Sequence, residues 1–117
     1  MMNNHKDLNV WRKAIDFVVA VYEITENYPK DELYGLTNQI RRASVSIPTN
    51  IAEGAARKGK LKFKRFLSYS LGSVSEIETQ FIISLRLRYL MQKDFDIINN
   101  ELTSIRKMLL GLIKSLN

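Results

Sequence analysis

Cysteine is absent from the 117-residue chain, and histidine occurs once, as His5. The first absence excludes disulfides and thiolate metal sites. A single histidine in a polar tail leaves no persuasive Ser-His or Cys-His nucleophile pair. No Glu-x-x-His pair is present, so a di-metal carboxylate site within a helix bundle has no ligand set. The stretch EGAARKGK (53–60) has neither the spacing nor the preceding strand of a phosphate-binding loop. No cofactor, no metal and no enzyme activity is therefore expected. Two prolines and five glycines are few interruptions, which fits neither a loop-rich nor a disordered chain. No apolar run approaches the roughly 18–20 residues of a membrane span, and MMNNHKDLNV lacks the apolar core of a signal peptide. The expected location is the cytoplasm.

What is present is helical periodicity over a length that suits one domain, 1–117. A first pattern spans about 9–27, with Val10, Trp11, Ala14, Ile15, Val18, Val21, Tyr22 and Thr25 on one face. Asp7 or Asn9 is the expected cap, and Tyr28-Pro29 the stop. A second pattern, about 36–58, places Leu36, Ile40, Ala43, Ile47, Ile51 and Ala55 in register although Pro48 lies among them. A proline inside a helix costs roughly 3 kcal/mol, because it removes one donor and crowds the carbonyl four residues back, here that of Ser44. A chain reversal would reset the apolar register. Since it is not reset, the spacing predicts one helix kinked at Pro48, with the kink offset by packing. The competing arrangement opens a new helix there, with Pro48 in its first turn. Gly59 is the expected stop.

A third pattern runs about 60–90 through Phe63, Phe66, Leu67, Ser70, Val74, Ile77, Phe81, Ser84 and Leu85. Gly72 and the serines at 68, 70, 73, 75 and 84 mark places where backbones could approach. The fourth, about 94–116 with Asp94 as cap, is an unbroken heptad seam of Phe95, Ile98, Leu102, Ile105, Leu109, Leu112 and Leu116. Short connections between four such helices predict an all-α, up-down-up-down four-helix bundle. Ile97, Met108, Leu110 and Ile113 flank the fourth seam, and Val19 and Ile24 flank the first face. One bundle core does not readily cover flanks this wide, so a homo-oligomer is expected.

The net charge of +6 is local. Residues 41–66 carry eight bases against Glu53 alone, whereas residues 1–40 are net acidic. Arg57, Lys58, Lys60, Lys62, Lys64 and Arg65 place six cations in nine residues at the junction of the second and third helices. Lys58, Lys62 and Arg65 share a side if helix geometry extends through that junction. Such a group suits phosphate tracking, which is salt-dependent and blind to base sequence. A solvated helix end that keeps the protein soluble accounts for the same residues. Arg41, Arg42, Glu53, Glu76 and Glu78 are expected in structural roles, with Arg41 or Arg42 meeting Glu76 or Glu78 across the second and third helices. Trp11 and Tyr22 are expected as core or interface anchors rather than base-stacking platforms.

The segments YGLTNQIRRASVSIPTNIAEGAAR (34–57), DLNVWRKAIDF (7–17) and FKRFLSYSLGSVSEIETQ (63–80) resemble the 23S rRNA intervening-sequence family of four-helix bundle proteins, sometimes labelled as a ribosomal-protein type. The resemblance extends from Asp7 to about Leu116. It implies a left-handed bundle, a ring-like homopentamer and no catalysis. A related branch includes the basic accessory protein of diversity-generating retroelements, which binds its reverse transcriptase and nucleic acid. One departure stands out. Relatives tend to open the third helix with a serine and an acid three residues later, where this chain has Gly59 and Lys62. That substitution removes a capping box and puts a cation at the positive end of the helix dipole. The expected function is sequence-nonspecific nucleic-acid binding, RNA foremost, by the rim of an oligomer. The alternative is a scaffold that docks a reverse transcriptase or another nucleic-acid-processing protein.

Overall fold

The computed structural model describes residues 5–117. Four helices form the protein: α1 (Asn9–Thr25), α2 (Leu36–Ala56), α3 (Lys60–Arg86) and α4 (Gln92–Ser115). Short 3-10 turns lie at His5–Asp7 and Lys30–Glu32, and no strand occurs among the described residues. Helix α2 packs on α1 and α3, and α4 packs on α3 and α1, which closes an all-α bundle. The molecule measures 45 × 24 × 19 Å. At 1.5 Å per residue the 27 residues of α3 span about 40 Å, so this helix sets the long dimension.

The core is built from the expected stripes with one rotation. Helix α1 buries Val10, Ala14, Phe17, Val21 and Thr25. Phe17 completes steps of four, three, four and four, whereas Ile15 and Tyr22, expected on this face, are exposed. They belong to the neighbouring stripe, which faces the outer edge of α2. Helix α4 buries Ile98, Leu102, Ile105 and Leu109 of its heptad seam, and Phe95, Leu112 and Leu116 pack half-buried against the same core.

Helix α2 passes through Pro48 without interruption and continues to Ala56. No second helix opens at the proline. Ile40, Ala43, Ile47, Pro48 and Ile51 are all buried, so the apolar stripe runs past the missing donor. Beside it, the fully buried Ser70 of α3 donates its hydroxyl to the Ile47 carbonyl at 2.9 Å. Ser46 and Ser73 join hydroxyls across the same interface. Nearer the end of α2, Gly54 lies so close to α3 that a Cβ there would stand 2.7 Å from Phe66 Cβ and 3.0 Å from Phe63 Cδ1. Gly72, expected at a close approach, instead faces open space.

Helix ends depart from expectation for local reasons. Helix α1 follows Leu8 without a side-chain cap bond, and Asn9 Oδ1 accepts from Arg12 instead. The side chain of Asp7 lies outside the described residues. Helix α3 stops at Arg86 because Arg88 adopts φ +65°. The Arg88 and Tyr89 amides then donate to Leu85 O and Ser84 O at 3.0 and 2.9 Å, closing the last turn. Helix α4 starts at Gln92, so Asp94 lies in its first turn, where it favours the dipole without capping.

Candidate nucleic-acid interface

Between α2 and α3 the chain turns in three residues, Arg57 to Gly59. Arg57 is extended at φ −79°, ψ 155°, and Gly59 takes φ +94°, which side-chain-bearing residues rarely adopt. The helix therefore does not extend through the junction. Lys58 lies in the turn, not on one helical side with Lys62 and Arg65, which remain about one turn apart on α3. Gly59 precedes α3 with no side-chain cap, and the first turn of α3 holds no acid. Its exposed dipole end and its lysines thus add positive potential in the same place.

The six cations fall into two groups. The Arg57 guanidinium lies 3.9 Å from Glu53 and over the Phe66 ring at 5.2 Å. Lys64 donates to Asn117 Oδ1 at 2.6 Å and is held toward the end of α4. Lys58, Lys60, Lys62 and Arg65 are exposed, with no carboxylate within 4.0 Å among the described residues. Beneath them lies a groove of about 390 Å³, floored by Ala55, Phe63, Leu112 and Leu116 and edged by Arg57 and Lys60.

Two aromatics complete this end, and sequence reasoning passed over their surface role. Phe66 and Tyr69 meet edge to face at 5.4 Å, and Tyr69 remains 51% exposed. Leu61, Arg65 and Tyr69 follow at steps of four, the spacing that signals one helix stripe. Trp11 and Tyr22 lie on α1 instead. Trp11 packs edge-on against His5 at 5.0 Å, and Tyr22 carries the Arg41 guanidinium 4.6 Å above its ring.

The expected pairing of Arg41 or Arg42 with Glu76 or Glu78 does not form. Arg41 turns toward α1, donating through Nε to Thr25 Oγ1 at 2.9 Å. Arg42 is exposed. Glu78 faces α4, where Arg106 reaches it at 3.3 Å, and Glu76 accepts weakly from Gln80 at 3.4 Å. Helix rotation decides this: consecutive Arg41 and Arg42 point about 100° apart, and neither direction leads to the acids of α3. Glu53 pairs within its own helix, with Arg57. Among the described residues no cluster of three or more metal-ligating side chains exists. Nor, among the described residues, is any helix long and apolar enough to cross a membrane.

The family model of the 23S rRNA-intervening sequence proteins matches residues 6–111. The chain belongs to that family. A crystal structure from Bacteroides thetaiotaomicron VPI-5482, solved as a protein of unknown function from the S23 ribosomal protein family, is similar to this intervening-sequence protein with a TM-score of 0.83. The two are 26% identical, and the match covers 90% of this chain and 95% of the other. No curated protein matches it. Within the motif IAEG (51–54), Ile51 and Gly54 now have physical roles, as core and as the contact between α2 and α3.

Proposed function

We propose that this intervening-sequence protein is a non-catalytic homo-oligomer in the cytoplasm that binds nucleic acid, RNA foremost, without reading base sequence. The observation that carries this reading is the three-residue turn at the uncapped start of α3, with four exposed cations that have no carboxylate within 4.0 Å among the described residues. Arg57 and Lys64 border the patch with partly engaged charges, and Tyr69 offers an aromatic face beside it. Charged side chains at an exposed turn engage phosphates whatever the base sequence, which is the basis for expecting no sequence preference.

Self-association is supported by apolar surface elsewhere. Val19, Ile97 and Leu110 are at least half exposed, while Met108, Ile113 and Ile24 pack partly against the core. A groove of about 430 Å³ between α1 and α2 is lined by Trp11, Ile15, Val18, Val19, Val45 and Pro48. A ring of copies, five by the family resemblance, would repeat each basic turn around one rim.

Fluorescence anisotropy with a structured RNA across a salt series tests the proposal. Each phosphate neutralised contributes about −0.7 to −0.9 to the slope of log K against log salt, so four cations per bound copy give a slope near −3. Replacing Lys58, Lys60, Lys62 and Arg65 by glutamine should flatten the slope and weaken binding at low salt. Affinity indifferent to those replacements, or absent at low salt, refutes it. In that event, docking of a nucleic-acid-processing protein such as a reverse transcriptase becomes the better use of the same rim.

A further inference from the structure

At the other end of α2, about 24 Å from Arg57 at 1.5 Å per residue, lies a cleft of about 190 Å³. Thr25, Glu26, Tyr28, Lys30, Thr37 and Arg41 contribute to its walls. Thr37 is 3% exposed, yet its Oγ1 has no hydrogen-bond partner among the described residues. The Tyr28 hydroxyl is turned instead toward Ser84 of α3, whose own proton goes to the Gln80 carbonyl at 2.9 Å, so that Ser84 Oγ is left as the acceptor for the phenol. The unpaired Thr37 hydroxyl is costly where it stands and calls for an explanation.

Arg41 adds the charge. Its guanidinium is half-buried, bonded through Nε to Thr25 Oγ1 and reaching Tyr22 O at 3.4 Å. Thr25 spends its own proton on Val21 O at 2.7 Å, so it serves Arg41 purely as an acceptor. Among the described residues no carboxylate lies within 4.0 Å of Arg41. Glu32, the nearest acid in sequence to the start of α2, is engaged elsewhere: Oε1 accepts from the Leu36 amide at 3.1 Å and Oε2 from the Tyr89 hydroxyl at 2.9 Å. Glu26 stays exposed at the rim. A half-buried cation with no counter-charge, lining one cleft with an idle buried hydroxyl, is an incomplete site.

We infer that this cleft receives one small oxyanion of the phosphate or carboxylate class, held by Arg41 with the Thr37 hydroxyl, one helical turn before it on α2, as donor. The volume suits a single tetrahedral or planar oxyanion and lies below the roughly 300–1,000 Å³ of pockets that hold larger ligands. The oxyanion comes either free from solution or as an Asp or Glu side chain of a second copy. Nothing in this inference depends on the basic turn, so the two stand or fall separately.

Calorimetric titration with inorganic phosphate and with acetate, at ionic strength fixed by chloride, distinguishes the sources when paired with light scattering. Thr37→Val keeps the side-chain shape and removes only the hydroxyl; Arg41→Gln removes the charge. Saturable binding of either probe, weakened at least tenfold in both variants and unchanged in a Lys60→Gln/Lys62→Gln protein, establishes a free-anion site. No binding of either probe, together with a drop in oligomer mass in T37V and R41Q, assigns the oxyanion to a neighbouring copy. Non-saturable binding, binding equal in wild type and T37V, or no binding with unchanged mass overturns the inference. T37V decides the matter alone if R41Q does not fold.

Discussion

Replacing Gly54 by alanine should destabilise the protein, although alanine is the better helix former. A Cβ at this position would lie 2.7 Å from Phe66 Cβ and 3.3 Å from the Phe63 carbonyl oxygen. Neither neighbour is the free end of a flexible side chain. The α2–α3 contact must therefore open by close to an ångström, which places the cost at the upper end of the ~1–3 kcal/mol seen for overpacked cores. Alanine returns about 1 kcal/mol of helix propensity, leaving a net loss of about 2 kcal/mol. For a domain of this size that lowers Tm by roughly 6–12 °C. Gly72→Ala supplies the internal control, because its new methyl meets nothing within 4 Å. It should gain about 1 kcal/mol and raise Tm. Both are read by thermal and urea unfolding followed by circular dichroism, at one protein concentration. A G54A protein as stable as wild type, or moving in the same direction as G72A, refutes the close approach and with it the explanation of the IAEG glycine.

Ser70→Ala removes the hydroxyl that serves the Ile47 carbonyl beside Pro48; a loss of about 1–2 kcal/mol in urea midpoint analysis is expected, and no loss would mean that the bond does not support the proline-containing helix. Alkaline pH should also lower stability through two tyrosines. Tyr89 is raised above the ordinary 10.0, first by its hydrogen bond to Glu32, and Tyr28 chiefly by burial. The unfolded chain ionises both near pH 10 while the native state retains the protons, so their contribution is intact below pH 10 and falls as pH climbs through the raised native values. Y28F and Y89F should each lose less stability than wild type between pH 10 and 11; parallel profiles would show that these phenols are not linked to folding.

The four helices and most of their inward stripes were legible because a 3.6-residue period is written directly into apolar spacing. The continuity of α2 was legible for the same reason: Ile47 and Ile51 keep register across Pro48 and both are buried. The rotation of α1 was harder to read, since its two adjacent stripes are both apolar and only packing selects Phe17 over Ile15. Pairing of charges was not legible. Glu78 had candidate partners on two neighbouring helices, and the choice of Arg106 depends on interaxial geometry that one helix's sequence does not contain. At the candidate interface the six cations were visible as composition, but Gly59's left-handed φ decided that Lys58 leaves the helical line. Tyr69 escaped notice because a surface aromatic on a long helix looks like any other until Arg65 and Phe66 are placed around it.

The brevity of the junction between α2 and α3 has a kinetic corollary. Three residues pinned between two packed helices have few alternative shapes, so the ammonium groups at this tip arrive already displayed. An encounter with a polyanion would demand almost no reorganisation of the backbone, and its speed would be governed by long-range attraction and diffusion. Lengthening the junction with flexible glycines should then leave the capture rate nearly unchanged while shortening the lifetime of each complex, the signature of a display surface whose advantage lies in holding its charges still.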